Sequence, residues 1–198
     1  MLLDVGCSTG SHIQYLKTAF NCVGIDSSKE MLEVAEKKVA GVKFMRGNMM
    51  SFDLGRQFDV ILCLFSGIGY VKTYPNLRKT FGSFWRHLKP GGVAIVEPWF
   101  TKANWRNGSI HLRTYNSETL KIARVGFSGS RGNISVMDER YLIAEKGKGI
   151  GYFEDLVEMG LFDIKKTLRI MRDVGFRAKY IRQALSPGRG LYVGVRQL

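Results

Sequence analysis

The sequence predicts an α/β fold: a mostly parallel sheet with helices on both faces, an antiparallel β insertion after the fifth strand, and a C-terminal antiparallel hairpin. Three observations predict it. Strand-sized apolar runs alternate with helix-period segments through the first hundred residues, the pattern of a parallel sheet. Runs such as Val93-Ala94-Ile95-Val96 are continuously apolar, as strands covered on both faces must be. After Trp99 the texture changes to strand-like stretches separated by Gly, Ser and Asn turns.

The elements follow in order. Residues 2–5 form a short buried strand ending in glycine. Residues 11–20 carry Ile13, Leu16 and Phe20 at helical spacing. Residues 21–25 are a second strand. Ser27 or Ser28 caps a helix running through Glu36, with Met31, Leu32 and Ala35 on one face. Residues 42–45 and 58–64 are the third and fourth strands. Residues 76–88 are a helix ended by Lys89-Pro90-Gly91-Gly92, and residues 93–97 are a fifth strand stopped by Pro98. Strands at 111–115, 119–127 and 133–144 make an insertion of three or four strands, with the strand-like 150–156 as the candidate fourth. Asp163 caps a helix with Ile164, Leu168 and Met171 on one face, and Gly175 ends it. Residues 176–181 and 191–195 close the chain as a hairpin joined through Ser186-Pro187-Gly188. The expected organisation is one domain from residues 1–100 and 161–198, interrupted by the insertion at 101–160.

Composition narrows the function. The chain has 198 residues, 45% of them hydrophobic and 12% aromatic, so it can build a core and is not disordered. No apolar run approaches the ~18 residues of a membrane span, so no membrane partner is expected. No signal-peptide pattern opens the chain. Cys7, Cys22 and Cys63 are widely spaced with no CxxC pair. Neither a disulfide framework nor a metal site is expected, and the cytoplasm is the default compartment. The net charge is +13. Residues 1–100 hold 12 basic and 8 acidic side chains, net +4, and residues 101–198 hold 18 and 9, net +9. That excess fits either a solvated basic surface or an anionic partner such as RNA.

The motif that carries chemistry is Leu2-Leu3-Asp4-Val5-Gly6-Cys7-Ser8-Thr9-Gly10. A strand ends in an acid, a glycine turn follows, and a helix begins. Glycine lets backbone approach a ligand closely, and the helix N-terminus offers free N–H groups to an anion. The spacing Gly6-x-x-x-Gly10 matches neither a dinucleotide fingerprint nor a phosphate loop. Val23-Gly24-Ile25-Asp26 is a second strand ending in an acid, 22 residues after Asp4. A carboxylate there can accept both hydrogen bonds of a ribose diol.

The first hundred residues thus resemble a class I, Rossmann-like S-adenosylmethionine-dependent methyltransferase. Asp4 to Gly10 resembles the family's first motif, with Ser8 where glycine is usual. Asp26 matches the ribose-binding acid. Gly47-Asn48-Met49 resembles the adenine-reading loop, with Asn48 where Asp is commoner. Leu88-Lys89-Pro90-Gly91-Gly92 matches the loop before the fifth strand. A narrower resemblance rests on Cys63-Leu64-Phe65-Ser66-Gly67-Ile68-Gly69-Tyr70, Val96-Glu97-Pro98-Trp99, the strand insertion, the segment from Glu158 to Phe162, and Gly188-Arg189-Gly190-Leu191. These are similar to the macrolide amino-sugar N,N-dimethyltransferases, which methylate the amine of a nucleotide-linked deoxyamino sugar. Where that family tends to carry His, this chain has Tyr70. The family also carries helices over the cofactor before its first motif. The resemblance therefore implies an N-terminal segment ahead of residue 1.

The resemblance assigns S-adenosyl-L-methionine as cofactor and a small-molecule methyl acceptor as partner. It implies that Gly6, Ser8 and Gly10 hold the methionine end by backbone contact, with Asp4 a further cofactor-binding residue. Asp26 holds the ribose, with Ser27 a further cofactor-binding residue; Asn48 and Met49 hold the adenine, and Leu64 and Phe65 flank the sulfonium. Met31 packs either on adenine or in the core. An amine must lose a proton around attack, and Tyr70, Glu97, His87 and His111 are the titratable candidates. Tyr70 and Glu97 rank first because they follow strand C-terminal ends. Trp99 is a candidate to stack on the substrate and Arg189 to meet a diphosphate. A homodimer through the β insertion is a further expectation. An RNA methyltransferase and a non-catalytic cofactor-fold binding protein are the rival readings.

Overall fold

In the computed structural model, residues 1–185 and 188–197 are described. Their strands form two sheets. The first has seven strands in the order β10-β11-β5-β4-β1-β2-β3: β1 Leu2–Val5, β2 Cys22–Asp26, β3 Lys43–Arg46, β4 Phe58–Cys63, β5 Leu88–Val96, β10 Phe176–Ile181 and β11 Leu191–Arg196. The five strands from β3 to β5 run parallel. The β10–β11 hairpin joins β5 antiparallel. Chain order reverses beside β1: β2 and β3 are added on one side, β4 and β5 on the other. Ligands of open α/β sheets bind at such a switch point, beyond the strand C-termini.

Successive strand residues point to opposite faces, so β1 feeds two cores. Leu2 packs with Cys22 and Leu62 against Ile13 of α1 (Ser11–Leu16) and Leu32 and Ala35 of α2 (Lys29–Lys38). Leu3 and Val5 pack on the other side, against Leu77, Phe81 and Phe84 of α3 (Tyr74–His87) and Ile170 and Met171 of α4 (Ile164–Val174). The local chemistry of α4 is consistent: Asp163 accepts the Lys166 N–H at 2.8 Å, and Gly175 leaves the helix at φ 113°.

The second sheet has four antiparallel strands in sequence order: β6 Ser109–Asn116, β7 Leu120–Arg131, β8 Ile134–Glu145 and β9 Gly149–Gly160. The three expected strands and the candidate at 150–156 are all present; β6, β7 and β9 run longer than expected, and β8 has the expected length displaced by one residue. The side chains of Ser135, Glu139, Asp155 and Met159 share one face, called inner here, and those of Ile110, Phe127, Leu142 and Leu156 the outer face.

Several expected boundaries move. The first helix stops at Leu16, not Phe20, because the chain tightens into turns before Cys22 enters the sheet. The third begins at Tyr74, where Thr73 caps the Asn76 N–H and Pro75 occupies the first turn. Leu88 already pairs with Phe58, and the register slips before Val60, so Lys89–Gly92 is an irregularity inside β5 and not a loop ahead of it. Met31 is 43% exposed, so it does not share the buried face of Leu32 and Ala35. Ser186 and Pro187 of the expected hairpin connection lie outside the described residues.

Candidate functional site

The loops after β1, β2 and β4 meet at the C-terminal edge of the first sheet. The β1 loop turns through three left-handed residues, Gly6 at φ 74°, Ser8 at 49° and Gly10 at 72°. The two glycines serve different ends. A side chain on Gly10 would press on Phe44, Ala35 and Val39, with the nearest atom at 3.1 Å, so Gly10 lets α1 approach the sheet. Gly6 faces open space, with only Met49 Cε in reach at 3.7 Å. Glycine at position 6 thus leaves room for a ligand.

Asp26 ties the loops together. Its carboxylate accepts the backbone N–H of Ser8 at 2.9 Å and of Ser28 at 3.0 Å. Ser28 supplies the cap of α2 through Met31 N at 3.2 Å. Asp26 therefore does local work besides its expected ribose contact. Ser27 is exposed beside it, and its carbonyl accepts from Arg46. The exposed Met31 places its sulfur 3.6 Å from Ser8 Oγ, at the rim of the site. Asn48 Oδ1 accepts the Met50 N–H at 2.9 Å, shaping the loop after β3.

Asp4 is the most perturbed of these residues. It is 1% exposed, and neither carboxylate oxygen has a hydrogen-bond partner. His12 Nδ1 stands 3.9 Å away, beyond hydrogen-bond distance. Burial, then the Asp26 charge, pushes the Asp4 carboxyl up to about 7. A buried, unpaired acid beside an open glycine loop fits a cationic ligand group.

On the other side, β4 ends in Leu64, half-buried against the α1–α2 core, and in Phe65 and Ser66, both left-handed at φ 49° and 66°. Glu97 holds that turn: its buried carboxylate accepts the Phe65 N–H at 2.7 Å. Arg189 bonds Ser66 Oγ, lies 3.9 Å from Glu97, and sits 5.6–5.8 Å from the rings of Phe65, Trp99 and Phe100. Trp99 donates its indole N–H to Ser135 of β8 at 2.9 Å. Trp99 and Arg189 thus fasten the second sheet and the hairpin to the site. Tyr70, in the 3-10 turn Gly67–Val71, is 58% exposed. Burial of its hydroxyl, then Asp155 and Asp26, pushes the phenol above its ordinary value.

The two histidines lie elsewhere. His87 is buried where β5 begins, accepting the Leu54 N–H at 3.1 Å and bonding the Ser83 carbonyl at 2.8 Å. It borders a cavity of about 440 Å³ at the opposite edge of the sheet. His111 lies in β6, 3.2 Å from Glu139. Sequence reasoning missed Ser66, which links Arg189 to the Pro98 carbonyl. No local pattern marks it, since its contacts reach across the chain.

A family model described as "Methyltransferase domain" matches residues 2–92. A Streptomyces venezuelae protein named dTDP-3-amino-3,4,6-trideoxy-alpha-D-glucopyranose N,N-dimethyltransferase is 35% identical, over 98% of this chain and 82% of its own length. The chain belongs to the methyltransferase family. This methyltransferase is also 36% identical, over 98% of its length and 78% of the relative, to the dTDP-4-amino-2,3,4,6-tetradeoxy-D-glucose N,N-dimethyltransferase of Saccharopolyspora spinosa. Its fold superposes on Streptomyces venezuelae DesVI with a TM-score of 0.92 at 34% identity, covering 98% of this chain and 83% of that one. It superposes on CalS10, an amino pentose methyltransferase from Micromonospora echinaspora solved with S-adenosylmethionine bound, with a TM-score of 0.90 at 31% identity, covering 99% and 83%.

Proposed function

We propose that this methyltransferase transfers a methyl group from S-adenosylmethionine to the amine of a nucleotide-linked amino sugar. The observation that carries the reading is that likeness to amino-sugar enzymes runs through 98% of the chain. It therefore takes in the second sheet, not the cofactor motif alone. The cofactor half supports the reading independently: the Gly6 loop is open, Asp4 is buried and unpaired beside it, and Asp26 ends the neighbouring strand, an arrangement suited to a methionine end and a ribose. When bound, the cofactor supplies an electrophilic methyl on a sulfonium. This chain's residues then mainly position the amine.

Gly6, Ser8, Asp4, Asp26, Ser27, Asn48 and Met49 hold the cofactor in this reading, and Met31 covers its rim. Leu64 and Phe65 flank the methyl. Tyr70 acts as a wall and hydroxyl partner for the acceptor. Its raised phenol stays protonated at neutral pH, which argues against a role as base. Glu97 is a positioning residue, because its carboxylate is spent on Phe65. Residues 1–100 and 161–198 form the catalytic unit, and residues 101–160 cover its acceptor side. Free, buried thiols at Cys7, Cys22 and Cys63 fit a reducing cytoplasm.

The outer face of the second sheet favours a homodimer. Ile110, Leu112, Val125, Phe127, Leu142 and Leu156 share that face, each at least half exposed. Asp138 stands between Phe127 and Leu156 on this face, and Arg140 beside Val125, so a second copy would have to pair those charges as well as cover the apolar side chains. Sedimentation should show a dimer that Leu142→Glu dissociates.

The deciding experiment is transfer of labelled methyl from S-adenosylmethionine to dTDP-amino sugars, simple amines and RNA. Label in the dTDP-amino sugar supports the reading. Label in RNA alone overturns it in favour of the basic surface, where Lys165, Lys166, Arg169 and Arg172 are exposed. RNA bound merely through that surface should dissociate steeply with salt.

A further inference from the structure

The inner face of the second sheet overhangs the site. Met159, near the end of β9, packs on the 3-10 turn, where a side chain on Gly69 would meet its Cε at 2.8 Å. Lys72 just after that turn also ties down this end of β9, pairing at 2.8 Å with Glu158 of the outer face. Opposite Met159, Ser135 takes the Trp99 N–H. The inner face is therefore pinned over Tyr70 and Trp99 at one end. Asp155 and Val157 project from the same face as Met159, since residues two apart share a face.

The acids of these strands differ in one respect. Asp138 pairs with Arg140, Glu145 with Lys148, Glu154 with Arg140, and Glu158 with Lys72 and Arg131. Glu139, 5% exposed, has Arg124 Nε at 3.1 Å and His111 Nε2 at 3.2 Å. Gly126 makes that cluster possible, because a Cβ there would stand 2.4 Å from the His111 ring. Asp155, directly across from Glu139 in the register, has no ion pair among the described residues. In a chain of net charge +13, it is the acid of β6–β9 left without a cation. Arg124 already neutralises the neighbouring Glu139 carboxylate.

We infer that Asp155 holds the acceptor's amino group, across the cleft from the cofactor and beside Tyr70; the group binds as an ammonium and gives its proton to solvent before the neutral amine attacks, which makes Asp155 the residue that selects a cationic amine. Two observations converge on this place. The register puts an unpaired carboxylate on the face pinned over the cofactor loops. The Tyr70 phenol, raised first by burial, also feels both Asp155 and Asp26, so both carboxylates are within electrostatic reach of it. The ligand class is a primary or secondary aliphatic amine, and the inference rests on the N-methylation proposed above.

The test is steady-state methylation of a dTDP-amino sugar by wild type and Asp155→Asn, with cofactor affinity measured separately by calorimetry. Asn keeps the size of an exposed side chain, so the fold should hold. Asp155→Asn should raise the acceptor KM about 10- to 100-fold, the value of one hydrogen bond to a charged group, and leave the cofactor Kd unchanged. Glu118→Gln, which removes the same charge from the turn between β6 and β7, should change neither. An unchanged KM in Asp155→Asn, with wild type active, overturns this inference alone. An equal loss of cofactor affinity also overturns it, because the effect would then be general. A wild-type protein that methylates no amine overturns both this inference and the proposed function.

Discussion

Replacing Asp4 by Asn tests the electrostatics of the cofactor loop without any substrate. In the folded protein the Asp4 carboxyl titrates at about 7, against 3.8 for an ordinary Asp. The folded state therefore holds a proton that the unfolded chain releases between about pH 4 and 7. Its contribution to stability is fully present below the unfolded value and is lost as pH rises through the folded one. The gap of about 3 units corresponds to at most ~4 kcal/mol at pH 8, at 1.36 kcal/mol per unit. Asn avoids the charge but leaves a buried amide without partners, which costs ~1–3 kcal/mol. The net expectation is a gain of ~1–3 kcal/mol at pH 8 and no gain at pH 5. For a chain of this length that is roughly 2–10 °C in Tm. The assay is thermal unfolding of both proteins without cofactor, from pH 5 to 8. A pH dependence of Tm identical in wild type and variant refutes the reasoning. The same variant should bind S-adenosylmethionine more weakly, because the carboxylate that destabilises the empty loop is the one a cationic ligand rewards.

Three further outcomes are expected. Asp26→Ala should weaken cofactor binding by ~1.5–3 kcal/mol in calorimetry, and unchanged affinity rejects the ribose assignment. At position 8, where φ is 49°, Ser8→Gly should be neutral or stabilising by up to ~1 kcal/mol and Ser8→Val clearly destabilising; equal unfolding temperatures for the two contradict the strain argument. Glu97→Leu should lower kcat ~10- to 100-fold through the lost Phe65 contact, while Glu97→Gln, which still accepts that N–H, restores most of the rate with the pH profile of kcat unchanged. A Gln variant as slow as Leu, with the pH profile altered, makes Glu97 the base.

What the sequence made legible was local. Strand-to-helix alternation, the Asp163 cap, the Gly175 stop and the two acid-terminated strands each depend on residues a few positions apart. The cofactor loop could be read because its glycines, acid and helix start are contiguous. The acceptor side could not, because its contacts join distant parts of the chain. Trp99 reads as a stacking ring until its N–H is seen on Ser135, and Arg189 as a free cation until Ser66 and three rings enclose it. Residues 89–92 misled for a related reason: Pro90, Gly91 and Gly92 spell a loop locally, and only pairing with β4 makes them part of a strand.

Backbone strain points to the same edge of the molecule. Among the described residues, the non-glycine positions with positive φ are Ser8, Phe65, Ser66 and Lys72. They lie in the loops that follow β1 and β4, the neighbouring strands at the switch point. Each such residue costs about 1 kcal/mol or more and persists only where its surroundings hold it. The holders are visible: Asp26 on Ser8, Glu97 on Phe65, Arg189 and Pro98 on Ser66, and Glu158 on Lys72. Asp26 and Glu97 each end or follow a strand of the first sheet, whereas Glu158 belongs to the second. The second sheet is thus coupled to the shape of the β4 loop through Lys72, at the place where the proposed function brings the methyl donor and the amine together. Breaking that ion pair with Glu158→Gln should leave cofactor affinity, set by the β1 and β2 loops, intact and lower kcat with the amine acceptor. A parallel fall in cofactor affinity would show that the two loops do not respond separately.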